Sequence, residues 1–491
     1  MDFFNLLWYN IGKVYIGLQK GMDIMTDKEL FDELSYARKN VYEELSADES
    51  AAMMSLCADY IGFLSTAKTE RECVSASIKL AEEKGFVPLS SVTSLKPGDK
   101  VYTVNRKKNI LLAVIGTEPI ENGVNIAGAH IDSPRLDLKQ NPLYEKTDMA
   151  LLKTHYYGGL KKYQWTAIPL AIHGTIITKD GAVDICIGED EADPVFCITD
   201  LLPHLAKDQM SKKMTEGIEA ENMNVLIAGM PIEAEDVKEK VKFSVLKMLN
   251  TKYGMVERDF QTAELEIVPA GKARDVGLDR SFVGGYGQDD RVCAYTTLRA
   301  VFEVENPKRT AIAFLADKEE IGSMGNTGSQ SAFMSMCIAE LIEKINGACS
   351  MVAFNRTITG SACMSSDVSA AVDPNYESVH EHMNATFAGK GVAIMKYTGA
   401  RGKYDSSDAN AEFVNEIVRI MDDNNVIWQS GELGKVDQGG GGTIAQYVAN
   451  LNMDVIDCGV PVLSMHAPFE VTAKADIYMA YRSYIAFYLN R

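Results

Sequence analysis

The stretch "RTAIAFLADKEE", Arg309 to Glu320, reads as a short apolar strand that ends in a run of charged residues. Buried strands of a parallel sheet are continuous apolar runs, and turn residues usually follow them. Here the strand is followed by two adjacent glutamates, Glu319 and Glu320. A pair of carboxylates in this position predicts a functional site at the end of the strand.

The segments before and after this strand alternate between helical and strand patterns. Apolar residues recur every three or four positions in "LFDELSYARKNVYEEL" (30–45) and "AAMMSLCADYIGFLSTA" (51–67), as in amphipathic helices. Short β-rich runs follow, among them "NILLAVIG" (109–116) and "VNIAGAHIDSP" (124–134). This alternation predicts an α/β fold with a mostly parallel sheet.

The pattern changes in the middle of the chain. Strand-like segments such as "PLAIHGTIITK", "AVDICIG" and "ELEIVPAG" surround a charged portion, which predicts a β-rich inserted domain. We therefore expect an N-terminal extension at 1–25, a main domain formed by 26–136 and 277–491, and an inserted domain at 137–276.

Composition excludes several classes of function. The 491 residues carry 49 Lys and Arg against 68 Asp and Glu, a net charge of -19 that repels polyanions such as nucleic acid. The nine cysteines are scattered and form no C-x-x-C pair, so we expect reduced thiols and a cytoplasmic protein.

The first residues, "MDFFNLLWYNIGKVYIGLQKGMD", raise the question of a signal peptide or a membrane anchor. Polar residues interrupt the run, no basic segment precedes it and no A-x-A site follows. We expect an amphipathic helix that packs on the body or on another subunit, and no membrane insertion.

Several acids and histidines stand where chemistry is expected. In open α/β sheets, ligands collect at the carboxyl ends of the strands. Each residue alone has an ordinary structural explanation, because a lone histidine is often structural and an acid at a helix start often caps the helix. The candidates at strand ends or helix starts are His130, Asp132, Asp289, Asp290, Asp367 and His466.

Together with the glutamate pair, these residues are a suitable set for two divalent metals that share a carboxylate. Zinc accepts nitrogen and oxygen ligands with few geometric demands. Metal pairs about 3.5–4 Å apart occur in aminopeptidases. One glutamate of the pair would bind metal, and its neighbour would remain free to move a proton between the attacking water and the leaving amine.

Five ordered motifs resemble those of the aspartyl aminopeptidase and vacuolar aminopeptidase I family of metallopeptidases. The similarity omits only about the first two dozen residues and implies a mixed-sheet α/β/α metallopeptidase domain interrupted by a dimerisation domain. The motifs are "AHIDSPRLDLK" (129–139), "GQDDRVCAY" (287–295), "DKEEIGSMGNTGS" (317–329), "SSDVSAAVDPNY" (365–376) and "PVLSMHAPFE" (461–470).

The resemblance also implies a role for each matching residue. His130, Asp289 and Asp367 would bind one metal, and Asp289, Glu320 and His466 the other, with Asp289 as the bridge. Zinc is the expected metal, although these ligands also accept cobalt or manganese. Glu319 would be the general base, and Asp132 would orient His130. Asp290 stands where the family often has asparagine, which adds a charge and removes no ligand.

The family further implies a homo-oligomer, with dimers assembling into a tetrahedral dodecamer. The segment "DLLPHLAKDQ" (200–209) resembles the stretch whose histidine reaches the active site of a neighbouring subunit. His204 would then bind substrate in trans, whereas the alternative is an ordinary surface histidine. The remaining histidines, His155, His173, His380 and His382, are expected to be structural.

The expected reaction is metal-dependent hydrolysis of the first peptide bond of a peptide. The alternatives are another co-catalytic metallohydrolase, such as a deacylase or carboxypeptidase, and a non-catalytic assembly protein. The preferred N-terminal residue stays open, because Lys396, Arg401 and Lys403 are equal candidates for contacting an acidic side chain.

Overall fold

The computed structural model describes residues 26–491, so the predictions for the first 25 residues lie outside the described part. Residues 26–39 belong to a first unit of the chain and contain helix α1 (Asp27–Leu34). Thr26 and Glu29 form a capping box at the start of this helix. Everything that follows lies within the second unit, Asn40–Arg491.

Helices and strands alternate along the second unit, and we number both in chain order. The helices are α2 (Val41–Glu44), α3 (Ala47–Thr66), α4 (Glu70–Glu83), α5 (Lys207–Met210), α6 (Met214–Gly217), α7 (Lys240–Tyr253), α8 (Gln288–Phe302), α9 (Phe333–Asn346), α10 (Met351–Gly360), α11 (Ala411–Asp423), α12 (Ala445–Ala449) and α13 (Lys474–Asn490). The helical pattern at 30–45 is interrupted in the structure, because residues 35–40 are not helical and Asn40 caps the start of α2.

The strands, in the same order, are β1 (Val87–Pro88), β2 (Lys100–Asn105), β3 (Asn109–Val114), β4 (Asn125–His130), β5 (Arg135–Lys146), β6 (Met149–Tyr157), β7 (Leu170–Thr178), β8 (Gly181–Ile187), β9 (Val225–Ala228), β10 (Glu264–Pro269), β11 (Arg274–Val276), β12 (Phe282–Gly285), β13 (Ala311–Ala316), β14 (Ala362–Ser365), β15 (Ser369–Ala370), β16 (Val392–Met395), β17 (Gly399–Ala400), β18 (Trp428–Ser430), β19 (Gly440–Gly441), β20 (Asp454–Gly459), β21 (Pro461–Leu463) and β22 (Glu470–Ala473).

A nine-stranded sheet forms the centre of the unit, in the order β1-β2-β3-β13-β4-β14-β20-β16-β18. The central pairs β13–β4, β4–β14 and β14–β20 are parallel, whereas β3–β13 and β16–β20 are antiparallel. The sheet is thus mixed, as the resemblance implied, with a parallel centre.

Strand β13 shows why the sheet is covered on both faces. Ala311, Ala313 and Leu315 pack into one hydrophobic core with helices α3, α8 and α13. The alternate residues Ile312 and Phe314 pack into a second core with α9 and α12. Because successive side chains of a strand point to opposite faces, an uninterrupted apolar run is what this three-layer α/β/α arrangement requires.

A six-stranded sheet, β8-β7-β10-β5-β6-β9, is built from residues 135–269. All of its strand pairs are antiparallel, and it forms a third hydrophobic core with helix α7. This sheet contains the strand-like segments in the middle of the sequence. Strand β11 pairs instead with β12, in a five-stranded sheet whose other strands come from the C-terminal part of the chain.

Two further observations concern the whole described part. All nine cysteines are free thiols. Between residues 26 and 491, no helix combines the length and the apolar character that crossing a bilayer would need.

Candidate metal centre

The central sheet brings three of the conspicuous segments to one edge. Strand β4 ends at His130, whose register partner on β13 is Ala316, and β14 runs parallel to β4 on its other side. The glutamate pair follows β13 in a short 3₁₀ turn, Glu319–Ile321, and Asp367 follows β14. Parallel strands that end side by side therefore deliver all of these groups to one place.

The two aspartates at the start of α8 do not cap this helix, as the structural alternative would have them do. Neither Asp289 nor Asp290 has helical dihedral angles, the peptide bond between them is cis, and no side-chain hydrogen bond caps the helix. Asp290 instead accepts the backbone N–H of His130 at 3.2 Å. Both side chains are turned towards the sheet edge.

Asp289 lies between two histidines. Its Oδ1 is 3.1 Å from Nε2 of His130, and its Oδ2 is 3.0 Å from Nε2 of His466. Each carboxylate oxygen thus faces a different imidazole. One buried carboxylate with two separated partners has the arrangement that a bridging metal ligand requires.

The other predicted ligands complete two groups around these imidazoles. Oδ1 of Asp367 is 3.9 Å from Nε2 of His130, and Oε1 of Glu320 is 3.3 Å from Nε2 of His466. Oε2 of Glu319 is 4.0 Å from Nε2 of His130. The two glutamates therefore approach different histidines, as adjacent side chains that point in different directions must.

Asp132 is fully buried and accepts hydrogen bonds from several parts of the centre. Its Oδ1 lies 3.2 Å from Nδ1 of His130 and accepts the backbone N–H of Glu319 at 3.1 Å. Its Oδ2 accepts the backbone N–H of Glu320 at 3.2 Å. Burial alone would raise the pKa of Asp132, but the hydrogen bond to His130 and other contacts outweigh it and lower this pKa. Asp132 therefore fixes one histidine and the whole glutamate turn.

The electrostatics of the centre fit a cation. Burial, followed by the charge of neighbouring carboxylates, raises the pKa of Glu320 well above its usual value, and burial does the same for Asp367. Oε1 of Glu320 is buried and accepts no hydrogen bond within the described chain. Carboxylates crowded out of water in this way repel one another, and divalent metal ions remove the repulsion. The donor set of two imidazoles and several carboxylates suits zinc.

The structure adds Glu470, a residue that the sequence did not single out although it closes the fifth motif. Glu470 is buried and accepts the backbone N–H of His466 at 2.7 Å and that of Asp289 at 3.3 Å. Burial and the nearby charge of Asp289 raise the pKa of Glu470 to about 8. Its place at the end of a conspicuous motif was a usable signal, but nothing in the sequence indicates which backbone groups it holds.

A second cluster of metal-ligating side chains lies away from this edge. His173, expected to be structural and without acidic partners, contacts Glu72 at 2.7 Å and Glu189 at 3.1 Å, and Cys186 lies 3.9 Å away. The ammonium of Lys68 contacts the same oxygen of Glu189 at 2.5 Å. The cluster is therefore a closed network of ion pairs that links α4 to the six-stranded sheet.

The remaining predicted residue, His204, is exposed in a 3₁₀ turn, Pro203–Leu205, and belongs to none of the metal-ligand groups of the described residues. Of the three basic candidates for acidic substrates, Lys396 and Lys403 both contact Asp408, at 2.9 Å and 3.1 Å. Arg401 and Lys403 line a cavity of about 360 Å³.

Comparison with known proteins gives a consistent result. A family model described as aminopeptidase I zinc metalloprotease (M18) matches residues 63–488. An M18 family aminopeptidase 1 of Clostridium acetobutylicum is 51% identical over 457 residues, which cover 92% of this chain and 98% of that relative.

Solved structures agree with the sequence matches. The crystal structure of an M18-family aminopeptidase from Thermotoga maritima is similar with a TM-score of 0.89 and 45% identity, covering 93% of this chain and 100% of that one. The S. cerevisiae mApe1 dodecamer, only 17% identical, has a TM-score of 0.70 and covers 88% of this chain and 95% of its own. The fold is therefore kept where most of the sequence has changed.

Proposed function

The chain belongs to the aminopeptidase I zinc metalloprotease family (M18) and is an aminopeptidase, and we propose that it works through two divalent metal ions and a glutamate base. The observation that supports this proposal best is Asp289, whose two carboxylate oxygens lie 3.1 Å and 3.0 Å from two different histidines. A single metal ion would use only one of the two pairs that Asp289 forms, either with His130 or with His466.

His130, Asp289 and Asp367 would hold one metal, and Asp289, Glu320 and His466 the other. Zinc bound there would supply Lewis-acid activation of water and of the scissile carbonyl. Cobalt and manganese suit the same donors, so the native metal depends on availability.

Glu319 is the proposed general base. Its backbone N–H donates a hydrogen bond to Oδ1 of Asp132, which holds the residue in place. Its Oε2 lies 4.0 Å from Nε2 of His130. Burial raises the pKa of Glu319 to about 7. A group with a pKa near neutrality can accept a proton from the attacking water and return it to the departing amine nitrogen.

The substrates would be peptides with a free N-terminus. A free α-amine and the neighbouring carbonyl are the groups that a compact cluster of carboxylates and metals can bind together. Deacylases and carboxypeptidases, the alternatives from sequence, would require a different terminus, and a non-catalytic protein would have no need for both glutamates.

We propose a homo-oligomer, built from dimers into a dodecamer, as the working form, located in the cytoplasm. The turn that carries His204 is surrounded by exposed apolar side chains, among them Leu202, Leu205 and Met210. Exposed apolar patches of this kind mark protein interfaces. In such an assembly His204 would reach the substrate of a neighbouring subunit, and the nine free thiols suit a reducing compartment.

The test is Glu319→Gln in the purified protein with its metal restored. We expect turnover of an aminoacyl substrate to fall by about 10²–10⁴-fold, the usual contribution of general acid–base catalysis, while metal content stays at two per subunit. Glu377→Gln is the matched control, because Glu377 also opens a three-residue 3₁₀ turn but is exposed. Loss of a metal from Glu319→Gln would refute the role assigned to this residue.

A second experiment separates the reaction classes. The wild-type protein is expected to hydrolyse aminoacyl substrates with free amines and to leave their N-acetylated forms intact. The opposite preference would indicate a deacylase. A panel of N-terminal residues that includes Asp, Glu and Leu would then define the specificity.

A further inference from the structure

We propose that the segment Tyr157–Gly159, at the end of β6 in the six-stranded sheet, is a buttress that positions the metal centre. The inference rests on the proposed dinuclear site. Its members contact neither metal nor substrate in this assignment, so they are positioning residues. Three observations carry the inference, one for each residue of the segment.

Tyr157 holds Asp132. The phenol hydroxyl donates to Oδ2 of Asp132 at 2.8 Å. Burial, with the negative charge of Asp132, raises the pKa of Tyr157 far above its usual value, so the hydroxyl remains a donor. Because Asp132 also contacts His130 and the glutamate turn, a hydrogen bond that fixes Asp132 helps to position all of them.

Tyr157 is itself held in place from behind. The guanidinium of Arg135, its partner in the β5–β6 register, lies 3.9 Å from the centre of its ring. Arg135 is buried and contacts Glu266 at 3.2 Å and Glu70 at 3.5 Å. A third carboxylate, that of Asp137, lies 2.8 Å from the same guanidinium. A buried arginine fixed by three carboxylates is a rigid support, because moving it would leave charges unpaired.

The two glycines lie next to the other half of the centre. A Cβ on Gly158 would lie 3.2 Å from Oε2 and 3.3 Å from Cβ of Glu320, and φ at this residue is +71°. The carbonyl of Gly159 lies 2.7 Å from Nδ1 of His466. Nδ1 must therefore carry the proton, which leaves Nε2 free to face Asp289 and a metal.

One short segment thus hydrogen-bonds to Asp132 and His466 and leaves no room for a side chain next to Glu320. These three residues belong to separate parts of the chain. Because the segment ends a strand of the antiparallel sheet, the inserted region contributes directly to the geometry of the centre. It does so in addition to any contacts between subunits.

The first test is Tyr157→Phe, which removes the hydroxyl and keeps the ring on Arg135. We measure affinity for Zn²⁺ by competition with a chromogenic chelator, starting from metal-free protein, and then kcat and KM of the reloaded enzyme. Loss of a group that supports a ligand from behind lowers metal affinity or activity by about 10-fold or more. We expect at least that loss in zinc affinity and in kcat, with KM changed little. Tyr156→Phe is the control, because Tyr156 is the exposed neighbour on the same strand.

The second test is Gly158→Ala, paired with Gly254→Ala. Gly254 has nearly the same φ, +67°, but a Cβ there would meet no atom within 4 Å. Both residues have a positive φ, so both variants carry backbone strain, and Gly254→Ala reports the effect of that strain alone. Only Gly158→Ala is expected to lose zinc affinity, about 10-fold or more, because only it displaces a ligand.

The outcomes separate the two proposals. Wild-type protein that binds no zinc would overturn the dinuclear site and the buttress together. Wild-type protein that binds two zinc ions, with Tyr157→Phe and Gly158→Ala each within twofold of their controls, would overturn the buttress alone.

Discussion

Replacing Asp132 with asparagine is the most informative single change to the centre. Three hydrogen bonds converge on this carboxylate, from the N–H of Glu319 at Oδ1 and from the N–H of Glu320 and the hydroxyl of Tyr157 at Oδ2. Nδ1 of His130 hydrogen-bonds to the backbone carbonyl of Asp132 at 3.0 Å and lies 3.2 Å from Oδ1. Asparagine has the same shape but replaces one oxygen with an NH₂ group. In either orientation of the amide, at least one backbone N–H would face another donor.

The size of the effect follows from this count. A buried N–H without an acceptor costs about 1–3 kcal/mol, and each 1.4 kcal/mol corresponds to about tenfold in an equilibrium. The favoured response is a movement of the glutamate turn or of the His130 ring. We therefore expect zinc affinity to fall about 10–100-fold and kcat to fall by at least as much, the range known for partners of metal-binding histidines.

The assay is zinc competition with a chromogenic chelator, followed by steady-state kinetics at saturating metal. Asp148→Asn serves as the control, because Asp148 is exposed in the β5–β6 turn. Circular dichroism of both variants checks that the fold is intact. A folded Asp132→Asn protein with wild-type zinc affinity and kcat would refute the idea that this carboxylate positions the centre.

Three other predictions concern oligomer, charge and metal. His204→Ala is expected to keep its assembly, measured by light scattering, and to lower kcat/KM, and normal kinetics in an assembled variant would reject a role in trans. Burial lowers the pKa of His173, but its hydrogen bonds with Cys186, Glu189 and Glu72 outweigh burial and raise the folded pKa to about 11. His173 is therefore expected to stabilise the fold below about pH 6.5, its usual range, and to lose this effect as pH rises to about 11. The stability advantage of wild type over His173→Gln should therefore shrink by about 1.4 kcal/mol per pH unit between pH 7 and 9, whereas parallel melting curves would contradict this. Removing metal by chelation should lower the melting temperature more at pH 8 than at pH 5.5. Burial raises the pKa of Glu319 to about 7, and the repulsion between such carboxylates grows as they ionise. An equal loss of melting temperature at both pH values would argue against this explanation.

Much of the fold was visible in the sequence. The uninterrupted apolar run of β13 predicted a strand covered on both faces, and the middle of the chain predicted a β-rich region, which corresponds to the six-stranded sheet. The helical pattern at 30–45 corresponds to parts of two helices, because the apolar period continues through residues 35–40 whereas the helical backbone is interrupted there. Periodicity reports which face is apolar and does not register a local break in the backbone.

The centre was predictable only in part. His130, Asp289 and His466 could be named as candidates because strand ends and helix starts are visible in one dimension, and the structure brings their side chains together. Glu470 and Tyr157 were not found, because their roles depend on hydrogen bonds to backbone groups and carboxylates far away in sequence. Likewise, the acidic partners of His173 come from α4 and from the end of β8, segments with no sequence relation to it.

The sequence by itself determined the chemical inventory of this protein: which imidazoles and carboxylates it has, and that they follow apolar strands whose ends meet at one sheet edge. Only the tertiary structure decided how they are aimed. Asp289 faces two histidines, and Asp132 accepts hydrogen bonds from the backbone of the glutamate turn. A carbonyl at the end of a strand of the antiparallel sheet fixes the tautomer of His466. The physical reason is that strand and helix patterns are local, whereas the direction of a side chain is set by partners that folding brings from distant parts of the chain.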